Sequence, residues 1–249
     1  GHDRQTVYTD LHPATVGGSF PAVLSVDVGG THVKVMHSVH RERRAFESGP
    51  ELTPAHMCSG VVELTGDWRY DAVAIGLPGP VRDDAPFANP PNLGPGWVGF
   101  DYAAAFGKPV KILNDAAMQA LGSYQGGKML FLGLGTGLGS ALVMNGEVVP
   151  MELRHLNYRK KQTFEQYVGE AGLDRLGKGK WRKHVLATIK QLRATLMPDE
   201  IVIGGGNVRL LKDLPEGCRR GDNDNAFLGG FRLWSGGMAK SVKLPGASP

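Results

Sequence analysis

One pattern of residues occurs twice in this 249-residue chain and constrains its fold more than any other feature. Segments 21–36 and 129–143 each contain an apolar run, a glycine-rich turn and a second apolar run, which together predict a strand, a turn and a strand. Thr136 stands in the second turn as Thr31 does in the first. This internal repeat predicts two related α/β domains that face each other across a cleft.

The first glycine turn has a composition suited to binding phosphate. We expect a tight hairpin in which Gly29 and Gly30 both take positive φ, and such a turn lets backbone N–H groups approach phosphate oxygens closely. Asp27 would then suit an Mg²⁺ ion held through water, and the Thr31 hydroxyl group a phosphate. Lys34 either adds positive charge or points to solvent. Because no helix follows the glycines, the turn is not a P-loop.

Two polar residues, Asn114 and Asp115, lie where the apolar strand 109–113 ends and a helix begins. An Asp at such a junction either caps the helix by accepting a backbone N–H or projects into the crevice at the carboxyl end of the strand, where open α/β sheets bind ligands. The dipeptide alone favours the cap, whereas the motifs in the rest of the chain favour the crevice.

Two further segments carry residues suited to a polyhydroxylated ligand. Asn92 and Trp97, in a loop rich in Asn and Pro, either hold such a ligand or belong to a structured surface loop. Glu152 and His155, three residues apart, either face a sugar together or form a structural pair.

The remaining sequence predicts regular elements of an α/β protein. Helices are expected at 54–65, from a capping box at 163–166, along an amphipathic stretch at 181–196 and at 226–234, and strands at 70–75 and 201–203. Gly204, Gly205 and Gly206 lead from the last strand into a helix expected near Asn207, a position where glycines permit close approach of a nucleotide.

The net charge of +4 is unevenly distributed along the chain. Segment 154–193 contains eleven Lys and Arg against three acidic residues, a local charge of +8, so the remainder carries −4. A block this basic suggests a polyanionic partner, and a solvated helix surface is the alternative.

The sequence indicates a cytoplasmic protein. Cys58 and Cys218 form neither a metal-type spacing nor a disulfide framework, which suits a reducing compartment. Residues 1–20 lack the layout of a signal peptide, and Gly1-His2 has the composition of a tag remnant. The uncharged stretch 129–146 contains too many glycines for a membrane span.

Six motifs in order across residues 22–234 resemble the ROK family of sugar kinases, within the actin-like ATPase superfamily. They are Asp27–Thr31, Gly76–Gly79, Asn114–Ala116, Leu134–Gly139, Glu152–His155 and Ile203–Gly206. The chain's size and its lack of zinc-binding cysteines look most like the zinc-free polyphosphate/ATP glucokinases. The resemblance implies an α/β fold of two actin-like (ribonuclease H-like) domains around a central cleft. The domains would be 21–113 and 114–249, with the last helix able to pack back on the first.

The resemblance also implies a role for each matching residue. Asp115 would be the general base that accepts the proton of the sugar 6-hydroxyl. Asn114 would bind other hydroxyl groups, and Asn92, Glu152 and His155 would complete the sugar pocket. Phosphate or nucleotide would be bound at Asp27, Gly29, Gly30, Thr31, Lys34, Gly135, Thr136, Gly137, Gly205 and Gly206. The implied cofactor is Mg²⁺, the donor ATP and/or polyphosphate, and the assembly a homodimer.

Three departures from the family pattern stand out. No cysteines follow His155, so no zinc site is expected and His155 is free to contact sugar. Arg154 stands where the family usually has Gly, which leaves the orientation of His155 open. A further sugar-binding Glu is either Glu165 or Glu170. The chain also lacks the helix-turn-helix of the family's repressors, which argues against DNA binding.

Three functions follow from this reading. The first is transfer of a phosphoryl group to the 6-hydroxyl of glucose or a close hexose, with the basic segment 154–193 guiding polyphosphate. The second is a sugar-binding protein without catalysis, and the third a kinase for mannose, fructose or N-acetylglucosamine.

Overall fold

The computed structural model of the protein describes residues 22–235. Its strands are β1 (Val23–Val28), β2 (His32–His37), β3 (Arg43–Glu47), β4 (Ala72–Leu77), β5 (Val81–Arg82), β6 (Ala85–Pro86), β7 (Val110–Asn114), β8 (Lys128–Leu134), β9 (Leu138–Met144), β10 (Glu147–Met151), β11 (Asn157–Arg159), β12 (Gln162–Thr163), β13 (Glu200–Gly204) and β14 (Cys218–Arg220). Its α-helices are α1 (Pro54–Leu64), α2 (Tyr102–Phe106), α3 (Asp115–Ser123), α4 (Phe164–Val168), α5 (Glu170–Leu196) and α6 (Asn225–Trp234), and 3-10 helices lie at Leu153–His155 and Gly206–Leu210.

Two five-stranded sheets have the same strand order. The first runs β3-β2-β1-β4-β7 and the second β10-β9-β8-β13-β14. In each sheet three consecutive strands pair antiparallel, and two further strands then add in parallel. Parallel neighbours need crossover connections, and α1, α2, α4 and α5 lie in these connections. The internal repeat is therefore confirmed, as is the α/β fold with ribonuclease H-like sheets.

Apolar helix faces cover the sheets. Helix α1 buries Met57 and Val61 in the core of the first sheet. Helix α5 bends at Gly177, where φ is +74°. Its second segment packs on the second sheet through Trp181, Val185, Ile189 and Leu192. The predicted amphipathic helix is therefore confirmed.

The last helix, α6, packs on α3 and on β1 and β4 of the first sheet. Glycine makes this approach possible, because a Cβ on Gly229 would lie 1.9 Å from the carbonyl oxygen of Met118. At the end of α6, Trp234 Nε1 donates to the carbonyl oxygen of Val73 at 3.2 Å. The division of the chain between residues 113 and 114 stays a prediction.

Two local expectations are wrong. Gly29 and Gly30 do not take positive φ, because the turn is longer than a two-residue hairpin. Val28 pairs with Val33, and Gly29 N donates to the carbonyl oxygen of His32 at 2.9 Å. A four-residue loop can reverse the chain without left-handed residues. The helix expected near Asn207 is only the 3-10 helix Gly206–Leu210. Within residues 22–235, no helix combines the length and apolar character needed to cross a bilayer.

Candidate functional site

Asp115 is the first residue of α3 and follows β7 directly, at the carboxyl end of a strand of the first sheet. Asn114 caps the helix, because its Oδ1 accepts from the N–H groups of Ala116 at 3.0 Å and Ala117 at 3.4 Å. Asn114 Nδ2 donates to the carbonyl oxygen of Gly79 at 2.9 Å. Asp115 Oδ1 also accepts from Ala116 N at 2.8 Å. Since Asn114 holds the capping position, α3 does not depend on Asp115 for its cap.

The carboxyl group of Asp115 lies in surroundings that disfavour its charge. Burial raises the pKa of Asp115 to about 7, and the charges of Asp27 and Glu152 contribute in the same direction, while the Ala116 N–H opposes them. Burial also raises the pKa of Asp27, and Lys34, its partner across β1 and β2, lowers it. A carboxyl group with a pKa near 7 is poised to accept a proton at neutral pH.

These carboxyl groups fit the Mg²⁺ ion that the resemblance implies. Burial disfavours the charge of both Asp27 and Asp115, and the charge of Asp27 further raises the pKa of Asp115, so a nearby cation would stabilise the two carboxylates. Mg²⁺ is usually held by one or two carboxylates together with substrate phosphates. Among the residues described, no group of three or more His, Cys, Asp or Glu is arranged to hold a metal. An Mg²⁺ ion at Asp27 would therefore rely on the phosphates of the donor.

The first glycine turn is open to solvent. Gly30 and Thr31 are exposed, and a Cβ on Gly30 would meet no atom within 4 Å. Lys34 is also exposed. The backbone of this turn is therefore accessible to a ligand beside Asp27.

The second glycine turn is packed on one side by a carboxylate. Gly135 N donates to the carbonyl oxygen of Gly137 at 3.2 Å. A Cβ on Gly137 would lie 2.3 Å from Glu165 Oε2, so a side chain there would collide with Glu165. The same Oε2 atom accepts from Leu138 N at 3.2 Å. Glu165 thus lies directly against the backbone of this turn.

Two other segments meet the second turn. Thr136 is exposed, and its carbonyl oxygen accepts from Glu170 N at 3.1 Å, which ties the start of α5 to the turn. Gly205 has a φ of +83°, and a Cβ there would lie 2.3 Å from the carbonyl oxygen of Leu134. The glycines after β13, including the exposed Gly206, therefore lie beside the second turn.

Glu152 and His155 lie at the 3-10 helix Leu153–His155 and are both exposed. Between them, Arg154 contacts two carboxylates: its Nε lies 2.7 Å from Glu152 Oε2, and its Nη1 lies 3.6 Å from Glu165 Oε2. Of the two glutamates left open by the sequence, Glu165 belongs to this cluster. The main chain of Glu170, in contrast, is bonded to the second turn.

The loop before α2 contains two of the residues considered for ligand binding, Asn92 and Trp97, and they differ in exposure. Asn92 is exposed, with a φ of +61°. Trp97, in contrast, is fully buried, and its Nε1 donates to the carbonyl oxygen of Gly94 at 2.8 Å. Of the two alternatives for Trp97, the structured loop is supported and ligand binding is not, because its ring belongs to the core of the first sheet.

Two contacts of the site had no signal in the sequence. The bond from Asn114 to Gly79 spans 35 residues, and the bond from Leu138 to Glu165 spans 27. No local pattern marks either pair, although the Gly-Leu-Pro-Gly turn and the candidate Glu165 were each visible separately.

Known proteins with similar sequences include sugar-related enzymes of bacteria. The bifunctional enzyme NanE/NanK of Brucella melitensis is 33% identical over an alignment of 143 positions, which covers 51% of this chain and 27% of that protein. Polyphosphate glucokinase of Mycobacterium leprae is 26% identical over an alignment of 203 positions, which covers 73% of this chain and 62% of that protein. The chain thus spans about a quarter of the first relative's length and less than two thirds of the second's.

Solved structures share the fold. The inorganic polyphosphate/ATP-glucomannokinase of Arthrobacter sp. strain KM superposes with a TM-score of 0.71 at 21% identity, covering 85% of this chain and 97% of that chain. The ROK family glucokinase of Streptomyces griseus, solved with glucose and AMPPNP, gives a TM-score of 0.69 at 18% identity, covering 86% and 99%. The model of the ROK family matches residues 23–150, just over half of the chain. The chain therefore belongs to the ROK family.

Proposed function

We propose that this protein is a sugar kinase that transfers a terminal phosphoryl group to the 6-hydroxyl of glucose or a close hexose. The observation that carries the proposal is the environment of Asp115. Its carboxyl group, with a pKa raised to about 7, lies at a strand end beside Asp27 of the first hairpin. The second hairpin, β8–β9, lies close to the start of α3, because a Cβ on Gly139 would lie 2.8 Å from Ala116 Cβ. An acceptor hydroxyl between the two hairpins would meet a base of suitable pKa.

Each group then has a distinct task. Asp115 orients the 6-hydroxyl and takes its proton. Its Oδ2 is available for this task, because Oδ1 accepts from Ala116 N. Asn114, Asn92, Glu152 and His155 bind the other hydroxyl groups and hold the acceptor oxygen in line with the donor, which supplies most of the acceleration. A bound Mg²⁺ ion would neutralise charge on the donor phosphates.

The donor would be held by the glycine turns. The accessible backbone at Gly29, Gly30 and Thr31 suits the transferred phosphate. The turn 135–137 and the glycines at 205–206 suit the remaining phosphates and, when the donor is ATP, the adenosine.

Polyphosphate as a donor is supported by a basic cavity. A cavity of about 270 Å³ is lined by Tyr158, Arg159, Lys180, Lys183, His184 and Ala187. Burial, and to a smaller extent the positive charges of Arg159 and Arg175, lower the pKa of His184. Not all of the basic segment is free for such a role, since Arg182 donates to the carbonyl oxygen of Leu210 at 2.5 Å and Arg193 to Cys218 Sγ at 3.0 Å.

Two alternative functions each have a supporting observation. Arg154 pairs with Glu152, which supports the alternative of a sugar-binding protein without catalysis, in which Arg154 has distorted the pocket. The structural similarity to a glucomannokinase keeps mannose as an alternative acceptor.

The deciding experiment measures glucose 6-phosphate formation with Mg²⁺ at low salt, with ATP and polyphosphate in parallel. We expect turnover with at least one donor. Turnover with polyphosphate that falls steeply as salt is added supports the basic cavity as its path. Turnover with ATP alone returns the basic segment to a solvated surface. No turnover with either donor across several hexoses, with sugar binding retained in calorimetry, supports the sugar-binding rival.

A further inference from the structure

Arg154 contacts carboxylates from two separate segments. Glu152 belongs to the predicted sugar motif, whereas Glu165 lies on α4, and the two guanidinium nitrogens reach one each, at 2.7 and 3.6 Å. The Arg154 side chain is 33% exposed and the Glu165 side chain 34%, so water screens this pair only in part. A planar guanidinium group can serve two carboxylates at once, which a lysine ammonium group does less well.

Glu165 extends this contact to the backbone of the second glycine turn. Its Oε2, the atom nearest to Arg154, also accepts from Leu138 N at 3.2 Å. The same oxygen fills the space that a Cβ on Gly137 would occupy, 2.3 Å away. A displacement of Glu165 must therefore move the peptide at 137–138 or break its hydrogen bond.

The contact with Glu152 is incomplete. Arg154 Nε is buried and has no hydrogen-bond partner, although Glu152 Oε2 lies 2.7 Å away. The two atoms are therefore close but not aligned. A buried N–H without a partner costs free energy, so a small rotation of Glu152 that aligned the pair would be favourable. A ligand that binds the Glu152 carboxylate would therefore compete with Arg154 for it.

We propose that Arg154 is a positioning residue that couples sugar binding at Glu152 to the conformation of the second glycine turn through Glu165. This inference rests on the proposed function, in which Glu152 meets the sugar and the turn 135–137 meets the donor. When the sugar binds Glu152, the contact between Arg154 and Glu165 changes. The position of the peptide at 137–138, which faces the donor, changes with it. Since coupling between two sites is reciprocal, a bound donor changes the affinity for sugar by the same factor.

The test is calorimetric titration of the full chain with glucose, with and without AMPPNP and Mg²⁺. For the unmodified protein we expect the donor analogue to raise sugar affinity about 5- to 20-fold, within the usual range of coupling between sites. Arg154→Met keeps the apolar stem and removes the charge. In this variant the donor analogue should raise sugar affinity less than about 2-fold. Arg154→Lys should recover part of the gain. Lys108→Gln removes an exposed charge on the loop before β7 and should keep the full gain.

Glu165→Gln removes the carboxylate charge that Arg154 contacts, so the increase in sugar affinity caused by AMPPNP should also be lost in this variant. Adding Arg154→Met to Glu165→Gln should have no further effect. This variant carries the test if Arg154→Met does not fold. A full gain in both Arg154→Met and Glu165→Gln overturns the inference, and so does the absence of any gain in the unmodified protein. Failure of the proposed function looks different, because no hexose would then be phosphorylated with either donor, whether or not sugar binds.

Discussion

Asn114 joins the start of α3 to the turn after β4. Its Nδ2 donates to the carbonyl oxygen of Gly79 at 2.9 Å, while its Oδ1 caps the helix that Asp115 begins. One amide side chain therefore fixes both the first turn of the helix and the turn beside it. The direction in which Asp115 projects depends on this pair of bonds.

Removing the side chain of Asn114 should destabilise the protein. Asn114→Ala loses the cap and the bond to Gly79, and we expect the free energy of unfolding to fall by about 1–3 kcal/mol. Asn114→Ser keeps an acceptor for the helix N–H groups and should lose less. Thermal unfolding of the three proteins at one pH measures the difference. Equal midpoints for Asn114→Ala and the unmodified chain would show that the cap contributes nothing.

Replacing Asp115, the proposed general base, with asparagine should stop proton transfer and leave the fold intact. For Asp115→Asn we expect kcat to fall by about 10²- to 10⁴-fold, the range for a general base, because the amide cannot take the 6-hydroxyl proton. Sugar affinity, measured by calorimetry, should change much less. A near-normal kcat would mean that another group takes the proton.

The same substitution should change how stability depends on pH. The pKa of Asp115 in the folded protein is about 7, above the value of about 3.9 in an unfolded chain. The folded protein therefore retains a proton that the unfolded chain loses. The stabilisation is complete below about pH 4 and is lost as the pH rises through 7. Relative to Asp115→Asn, the unmodified protein should lose up to about 4 kcal/mol between pH 4 and 8.

Chemical denaturation in EDTA at several pH values checks this dependence, since EDTA keeps a cation from masking the carboxylate. The two proteins should differ increasingly as the pH rises. Parallel curves for the unmodified protein and Asp115→Asn would contradict the raised pKa.

Neutralising Glu152 should move the pH dependence of activity. The charge of Glu152 helps to raise the pKa of Asp115, so Glu152→Gln lowers it. We expect kcat/KM to rise with pH through about 7 and this rise to begin at lower pH in Glu152→Gln, whatever happens to the KM for sugar. Glu147→Gln, at the opposite end of β10, should leave the midpoint unchanged. A midpoint that stays fixed in Glu152→Gln would show that Asp115 does not control the profile.

Two glycine-to-alanine changes should have opposite effects on stability. A Cβ on Gly229 would lie 1.9 Å from the carbonyl oxygen of Met118, so Gly229→Ala must push α6 away from α3. We expect a loss of at least about 2 kcal/mol. Gly179 lies in α5, where a Cβ would meet no atom within 4 Å. Gly179→Ala should stabilise by about 0.4–1 kcal/mol through helix propensity and a less flexible unfolded chain. Thermal unfolding decides both, and a neutral Gly229→Ala would contradict the close packing.

Most of the fold could be predicted because its signals are local. The repeat was visible in segments 21–36 and 129–143, and both became hairpins in sheets of identical order. The capping box at Thr163 formed as predicted. The error at Gly29 and the open choice at Trp97 have a different origin. Loop length depends on which residues pair across the strands, and the burial of an aromatic ring depends on what packs over it.

The sequence by itself determined the two strand hairpins, the central strands and the long helices, because alternation, helical periodicity and turn residues act over a few neighbouring positions. It also determined that Asp115 follows a strand end. It did not predict the edge strands β3 and β14 or the short helix α2. Only the tertiary structure decided that Asn114 reaches Gly79, that Arg154 meets both Glu152 and Glu165, and that Asp27 and Glu152 help to raise the pKa of Asp115. Burial and charge act through space between segments far apart in the chain, so these properties exist only once the two sheets are packed together.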